Sequence, residues 1–247
     1  MTKAHLLALG AAALALAGCN KGADNATAPA NGSAAAGTVA PPAGQEWTQV
    51  VSQTADGGFV MGNPNAPVKL VEYLSLTCPH CKEFAETGYA KLQDYVKKGT
   101  LSLEVRNYVR DPIDMTATLV SRCNGPATYF AMTEQAFEQQ SEIMTKIQGL
   151  PQAELQRLQG LQPAEQFKSL AAMLGIDQFA KQRGVPQSKL DQCFADKAAL
   201  DQLVAMQKTA NEMPGFVGTP TFILNGKMLE NTGTWDKLEP QLKAAGA

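Results

Sequence analysis

Two thiols stand three residues apart in Cys78-Pro79-His80-Cys81. Cysteines at i and i+3 on a first helical turn lie close enough to form a disulfide, and the orphan N–H groups and positive dipole end there favour a thiolate. The chemistry that follows is thiol–disulfide exchange. Cys78, nearer the helix end and more exposed, is the expected nucleophile; Cys81, one turn in, is the resolving partner. His80 adds a donor and partial positive charge near the Cys78 sulfur. Stabilising the thiolate stabilises the reduced form and makes the disulfide more oxidising. Two other readings of a C-x-x-C stay open, half of a zinc site and a plain structural disulfide. A structural zinc site needs four ligands, usually from two such pairs, whereas Cys123 and Cys193 stand alone. No metal or organic cofactor is expected.

The pair must be positioned by a strand and a helix. Val68 to Leu76 is rich in β-branched, aromatic and Leu residues, as in a buried strand, and a helical pattern runs from Cys78 to about Lys97 with Phe84, Tyr89, Leu92 and Val96 available for one face. Glu72 lies in that strand six residues before Cys78, where a carboxylate is costly unless it has a task. Burial raises its pKa and suits it to relay the proton of Cys81; the alternative places it facing solvent at a strand edge. Leu101 to Val109 alternates as a second core strand, and Gly58 to Gly62 reads as a short edge strand. From Pro112 to Met213 the composition shifts to Ala, Gln, Leu, Met and Lys. Breaks at Gly125-Pro126, Gly149-Leu150-Pro151, Gln162-Pro163, Gly175 and Gly184-Val185-Pro186 divide that stretch into several helices. Strand character returns at Thr221 to Leu224, before Asn225-Gly226, the strongest short-range hairpin signal, and a last helix spans Trp235 to Ala244. The order predicts an α/β fold in which a helical block interrupts one sheet, with the strands flanking the block paired to each other.

Cys123 and Cys193 bracket the helical block. Paired, they close a loop worth on the order of 4 kcal/mol in the chain-entropy model. Unpaired, they are two free thiols. Neither has a neighbouring cysteine or histidine, so both are read as structural.

The N-terminus carries an address. Lys3 and His5 precede an apolar run from Leu6 to Leu16, too short to span a bilayer, and Leu16-Ala17-Gly18-Cys19 resembles a bacterial lipobox. In such signals cleavage falls before the cysteine, whose sulfur carries a lipid; an ordinary signal peptide with a chance cysteine is the alternative. Residues 1–18 are thus read as a signal peptide, 19–45 as a lipidated cysteine and flexible linker, and 46–247 as the folded domain. Cleavage leaves 229 of the 247 residues with a net charge of about −3, no basis for binding nucleic acid. The four remaining cysteines, an even number in an exported chain, suit a disulfide-permissive compartment, the periplasm.

Glu72, Cys78-Pro79-His80-Cys81, and Thr219-Pro220 followed by a hairpin and final helix together resemble the DsbA-like thiol–disulfide oxidoreductases of the thioredoxin superfamily, over about Gly58 to Ala247. The resemblance implies a thioredoxin-like fold with a large all-helical insertion. It implies that Pro220 is cis and packs on the redox pair, and that the Thr219 backbone pairs with an extended client peptide. It also implies donation of disulfides to reduced exported proteins and reoxidation by a quinone-linked membrane partner of the DsbB type. Cys-Pro-His-Cys matches the strongly oxidising members, whereas Thr219 before the proline looks more like the isomerase branch. The segment before the core lacks heptads, which favours a monomer. Two rivals are an isomerase or reductase and a tethered peptide-binding module with structural cysteines. Peroxidase chemistry lacks an obvious Thr-x-x-Cys setting, with Arg106 and Arg110 as the arginines to locate.

Overall fold

The reading Val-Lys-Leu-Val-Glu-Tyr-Leu, apolar toward both faces, suits a strand covered on both sides, and β3 (Val68–Leu74) is the central strand of a six-stranded sheet in the computed structural model, which describes residues 39–247. The signal sequence, Cys19 and the first part of the tether lie outside the described residues. β3 runs parallel to β4 (Leu101–Asn107), with Glu72 opposite Val105. Parallel neighbours require a crossover, supplied by α1 (Pro79–Lys97), which buries Phe84, Tyr89, Leu92 and Val96 against the sheet.

Two expectations about the sheet change. Gly58 to Gly62 does not form an edge: β2 (Phe59–Gly62) pairs antiparallel with β4, and β1 (Val51–Gln53) lies outside it. β1 reads Val-Ser-Gln and is largely exposed, so it carries no periodicity to detect. The strands flanking the helical block do not pair with each other. β5 (Thr221–Leu224) joins β3, giving the order β1-β2-β4-β3-β5-β6. The far side of β4 is already taken by β2, so the free side of β3 is the remaining place for β5. β6 (Lys227–Leu229) completes a two-residue hairpin through Asn225 and Gly226, whose φ values of 48° and 82° need the left-handed region. α9 (Trp235–Ala244) returns to pack on α1, where a side chain at Gly88 would collide with the Phe84 and Trp235 rings.

The insertion consists of α2 (Pro112–Arg122), α3 (Pro126–Gln148), α4 (Gln152–Gln159), α5 (Pro163–Leu174), α6 (Ile176–Gln182), α7 (Gln187–Ala195) and α8 (Lys197–Glu212). Prolines at 112, 126 and 163 occupy first-turn positions, where a missing N–H costs nothing. The unforeseen break between α7 and α8 is made by Asp196, whose carboxylate accepts the Ala199 N–H at 3.0 Å. α2 is buried from Asp114 to Ser121 and forms the centre of the insertion. Among the described residues no helix is long and apolar enough to cross a membrane.

Candidate active site

β3 ends at Leu74, and Ser75-Leu76-Thr77 lead to Cys78, the N-cap of α1, with extended dihedrals of −85° and 121°. Pro79 takes the first helical position, so the sulfur faces the N–H groups of His80 and Cys81. The two cysteines are free thiols in the structure, Cys78 at 4% and Cys81 at 1% exposure. Their chemistry is opposed. Cys78 is pushed down to about 5, first by the hydrogen bond from the Cys81 side chain; burial opposes this, and Thr219 with the N–H groups of Cys81 and His80 adds to it. Cys81 is pushed well above the ordinary thiol range by burial, then by Cys78 and by the charge of Glu72. A sulfur near 5 is a thiolate at neutral pH, and its partner stays protonated.

Glu72 is 2% exposed, between Val105 of β4 and Phe222 of β5. The alternative in which it faces solvent at a strand edge is therefore ruled out by the sheet order. Burial alone drives its carboxyl to about 8, so at neutral pH it holds a proton. His80 is placed differently from expectation: its ring is 77% exposed and turned to Glu83 at 3.8 Å, and it is the His80 backbone that reaches Cys78. The residue follows the helix surface outward, as the second position of α1 requires.

From the far end of the chain, the Thr219–Pro220 peptide is cis and brings the Thr219 carbonyl within 3.2 Å of the Cys78 sulfur, which donates to it when protonated. Val217, two residues before Thr219, is an apolar side chain 96% exposed.

Two residues of the site, Asp114 and Gln140, escaped the sequence reading, and Arg110, named there only as an arginine to locate, joins them. Asp114, fully buried in the first turn of α2, accepts the Ser75 hydroxyl at 2.6 Å, the Leu76 N–H at 2.9 Å and the Arg110 N–H at 3.0 Å. Burial raises it to about 6 against the pull of those donors. Arg110 donates to the Thr77 carbonyl at 2.6 Å and hydroxyl at 2.9 Å. Gln140 of α3 donates to the carbonyls of Leu76 and Cys78 at 2.8 and 3.0 Å. Asp114 carried one signal, a carboxylate among the small and apolar residues of Met115 to Val120; Gln140 carried none, set in a run of Glu and Gln. Arg106 lies elsewhere, paired with Glu104 at 2.7 Å and donating to the Tyr73 hydroxyl.

Cys123 and Cys193 form a disulfide between the C-cap of α2 and the last turn of α7, with Cα atoms 5.7 Å apart. Among the described residues no group of three His, Cys, Asp or Glu side chains could hold a metal ion.

The chain matches the thioredoxin family over residues 54–244. A crystal structure of a protein-disulfide isomerase from Novosphingobium aromaticivorans is 33% identical, with a TM-score of 0.72 over 76% of this chain and 97% of that one. Wolbachia pipientis alpha-DsbA1, 19% identical with a TM-score of 0.61 over 78% of this chain and 92% of its own, shares the fold. A Rickettsia prowazekii protein assigned as a protein-disulfide oxidoreductase is 25% identical over 185 residues, 74% of this chain. The chain spans 60% of that relative's length.

Proposed function

The chain belongs to the thioredoxin family, and on that premise we propose that it is a thiol–disulfide oxidoreductase donating disulfides to exported proteins through Cys78 and Cys81. One observation carries the reading: two free thiols one helical turn apart, with Cys78 at the N-cap of α1 and beside the cis Thr219–Pro220 peptide. In the oxidised enzyme a client thiolate attacks the Cys78 sulfur. The Cys78–Cys81 bond breaks, a client–Cys78 mixed disulfide forms, and the electron pair leaves on Cys81. Glu72, protonated at neutral pH, supplies the proton that Cys81 then holds. A second client thiolate attacks the client sulfur of the mixed disulfide and expels Cys78 as a thiolate, leaving the client oxidised and the enzyme reduced by two electrons. A leaving group with a pKa near 5 departs readily, and its stability favours the reduced enzyme, hence net oxidation of the client.

The cis Thr219–Pro220 peptide beside the sulfur supports a role for the Thr219 backbone in pairing with an extended client strand. Cys19 as a lipidated residue, a tether of residues 19–45, a periplasmic address, a monomeric state and reoxidation by a quinone-linked membrane protein of the DsbB type complete the proposal. Intact-mass measurement of membrane-extracted protein tests the lipid: a mass without an acyl addition at Cys19 removes the anchor.

A second reading, isomerase or reductase, is favoured by Thr219 before the cis proline and by the likeness to the Novosphingobium protein-disulfide isomerase. The equilibrium potential of the Cys78–Cys81 pair in glutathione buffers separates the two. A value toward −120 mV supports the donor; one near −270 mV supports a reductase.

A further inference from the structure

The three consecutive carbonyls that lead into the redox helix, those of Leu76, Thr77 and Cys78, are each held by a side chain from outside the β3–α1 unit. Gln140 takes the first and third, Arg110 the second. Two carbonyls converging on one amide terminus require its nitrogen there, and both amide hydrogens are used. Asp114 grips the same turn from its other side through Leu76 N–H and the Ser75 hydroxyl. The local backbone already closes without these contacts: Cys78 N–H donates to Ser75 O at 3.2 Å, and Lys82 N–H to Cys78 O at 3.2 Å. The side-chain bonds are therefore additional to what the strand end and helix start need for themselves. They act on the peptide planes that aim the Cys78 sulfur at the N–H groups of His80 and Cys81.

We infer that Gln140 and Asp114 are positioning residues of the exchange reaction: the helical insertion, through them, holds the Ser75–Cys78 turn so that the Cys78 sulfur stays over the helix N-terminus and keeps its reactivity. This rests on the exchange function proposed above. Gln140 is the sharper probe of the two. It is 4% exposed and uncharged, so its removal breaks the bonds to the turn without removing a charge. Loss of the Asp114 charge would act on a nearby thiolate in the opposite sense to loss of its bonds.

The experiment uses the full-length chain carrying Gln140→Met, a substitution of similar length that donates nothing. Alkylation of Cys78 by iodoacetamide is followed from pH 4 to 10, together with the equilibrium against glutathione and the melting temperature. The expected result is alkylation at pH 6 slowed at least threefold with an unchanged plateau at high pH. The glutathione equilibrium should move toward the oxidised protein by a similar factor, since destabilising the thiolate destabilises the reduced form. Ser75→Ala, which removes the hydroxyl bond to Asp114 and the acceptor of the Thr77 N–H, should move both readouts in the same direction by a smaller factor, and it decides the matter if Gln140→Met does not fold. A lowered melting temperature with alkylation and glutathione equilibrium matching the unaltered chain overturns the inference and leaves the contacts as fold stabilisers. Failure of the unaltered chain to exchange with glutathione at all would instead sink the proposed function, while the alkylation profiles still report on the turn.

Discussion

The molecule holds two cysteine pairs at opposite ends of helices. Cys78 is the N-cap of α1, where unpaired N–H groups and the positive dipole end collect on the sulfur, and Cys81 follows one turn in. Cys123 is the C-cap of α2 and Cys193 sits in the last turn of α7, where carbonyls and the negative dipole end disfavour a thiolate. The first pair is split into one acidic and one reluctant thiol, suited to opening and closing. The second joins two helices through cysteines 70 residues apart in the chain. Under the proposed function the same side chain is a reagent in one place and a staple in the other, and the two pairs stand at opposite helix ends. The staple also has a bearing on the reagent. α2 is pinned at its C-terminal end by Cys123, while its N-terminal turn presents Asp114 to the loop before Cys78.

The largest effect that could break this contrast is on turnover. Cys78→Ser should lower oxidation of a dithiol peptide by at least about a thousandfold, whereas Cys123→Ser with Cys193→Ser should leave the rate within about threefold. A chain that keeps its function without the Cys78 thiol would be a binding module instead. Next comes stability. In a background of Cys78→Ser and Cys81→Ser, reducing the Cys123–Cys193 bond should lower the unfolding free energy by on the order of 4 kcal/mol, read from the urea midpoint. An unchanged midpoint would remove the staple from the comparison.

Smaller effects sharpen the description of the reactive pair. Glu72→Gln should slow exchange by about a hundredfold, because Cys81 loses its proton source. The same variant should alter the pH dependence of stability. The carboxyl is raised from 4.5 to about 8 on folding, so its favourable contribution is full below 4.5 and disappears as pH rises through 8. Relative to the unaltered chain, Glu72→Gln should therefore gain stability between pH 4 and pH 9 in urea titrations; parallel curves would place Glu72 out of the core. The mildest test is descriptive. Alkylation of the reduced chain should be half-maximal near pH 5 at Cys78, with Cys81 unreactive below pH 9, as resolved by peptide mass mapping. A single midpoint near 8.5 for both would erase the asymmetry.

Much of this was legible along the chain. The strand before Cys78, the helix after it, the Asn225-Gly226 hairpin and most breaks in the insertion follow from periodicity, Gly-Pro punctuation and turn chemistry, all of which act within a few residues. The chemistry of Cys78-Pro79-His80-Cys81 is equally local, since spacing and helix position bring the thiols together. β1 was illegible because three half-exposed residues have no pattern, and the direction of the His80 ring because nothing in a sequence separates a side chain that turns to its neighbour from one that turns to solvent. What the amino-acid sequence determined by itself was therefore the spacing of Cys78 and Cys81, their placement at a strand-to-helix junction, and the helical block that interrupts the sheet. Only the tertiary structure decided that β5 joins β3, that Glu72 is sealed between two strands, that Cys123 meets Cys193, and that Asp114, Arg110 and Gln140 converge on the redox turn. Each of those facts joins residues far apart in the chain, where which edge is free and which surface is covered are set by packing of the whole and leave no mark on local spacing.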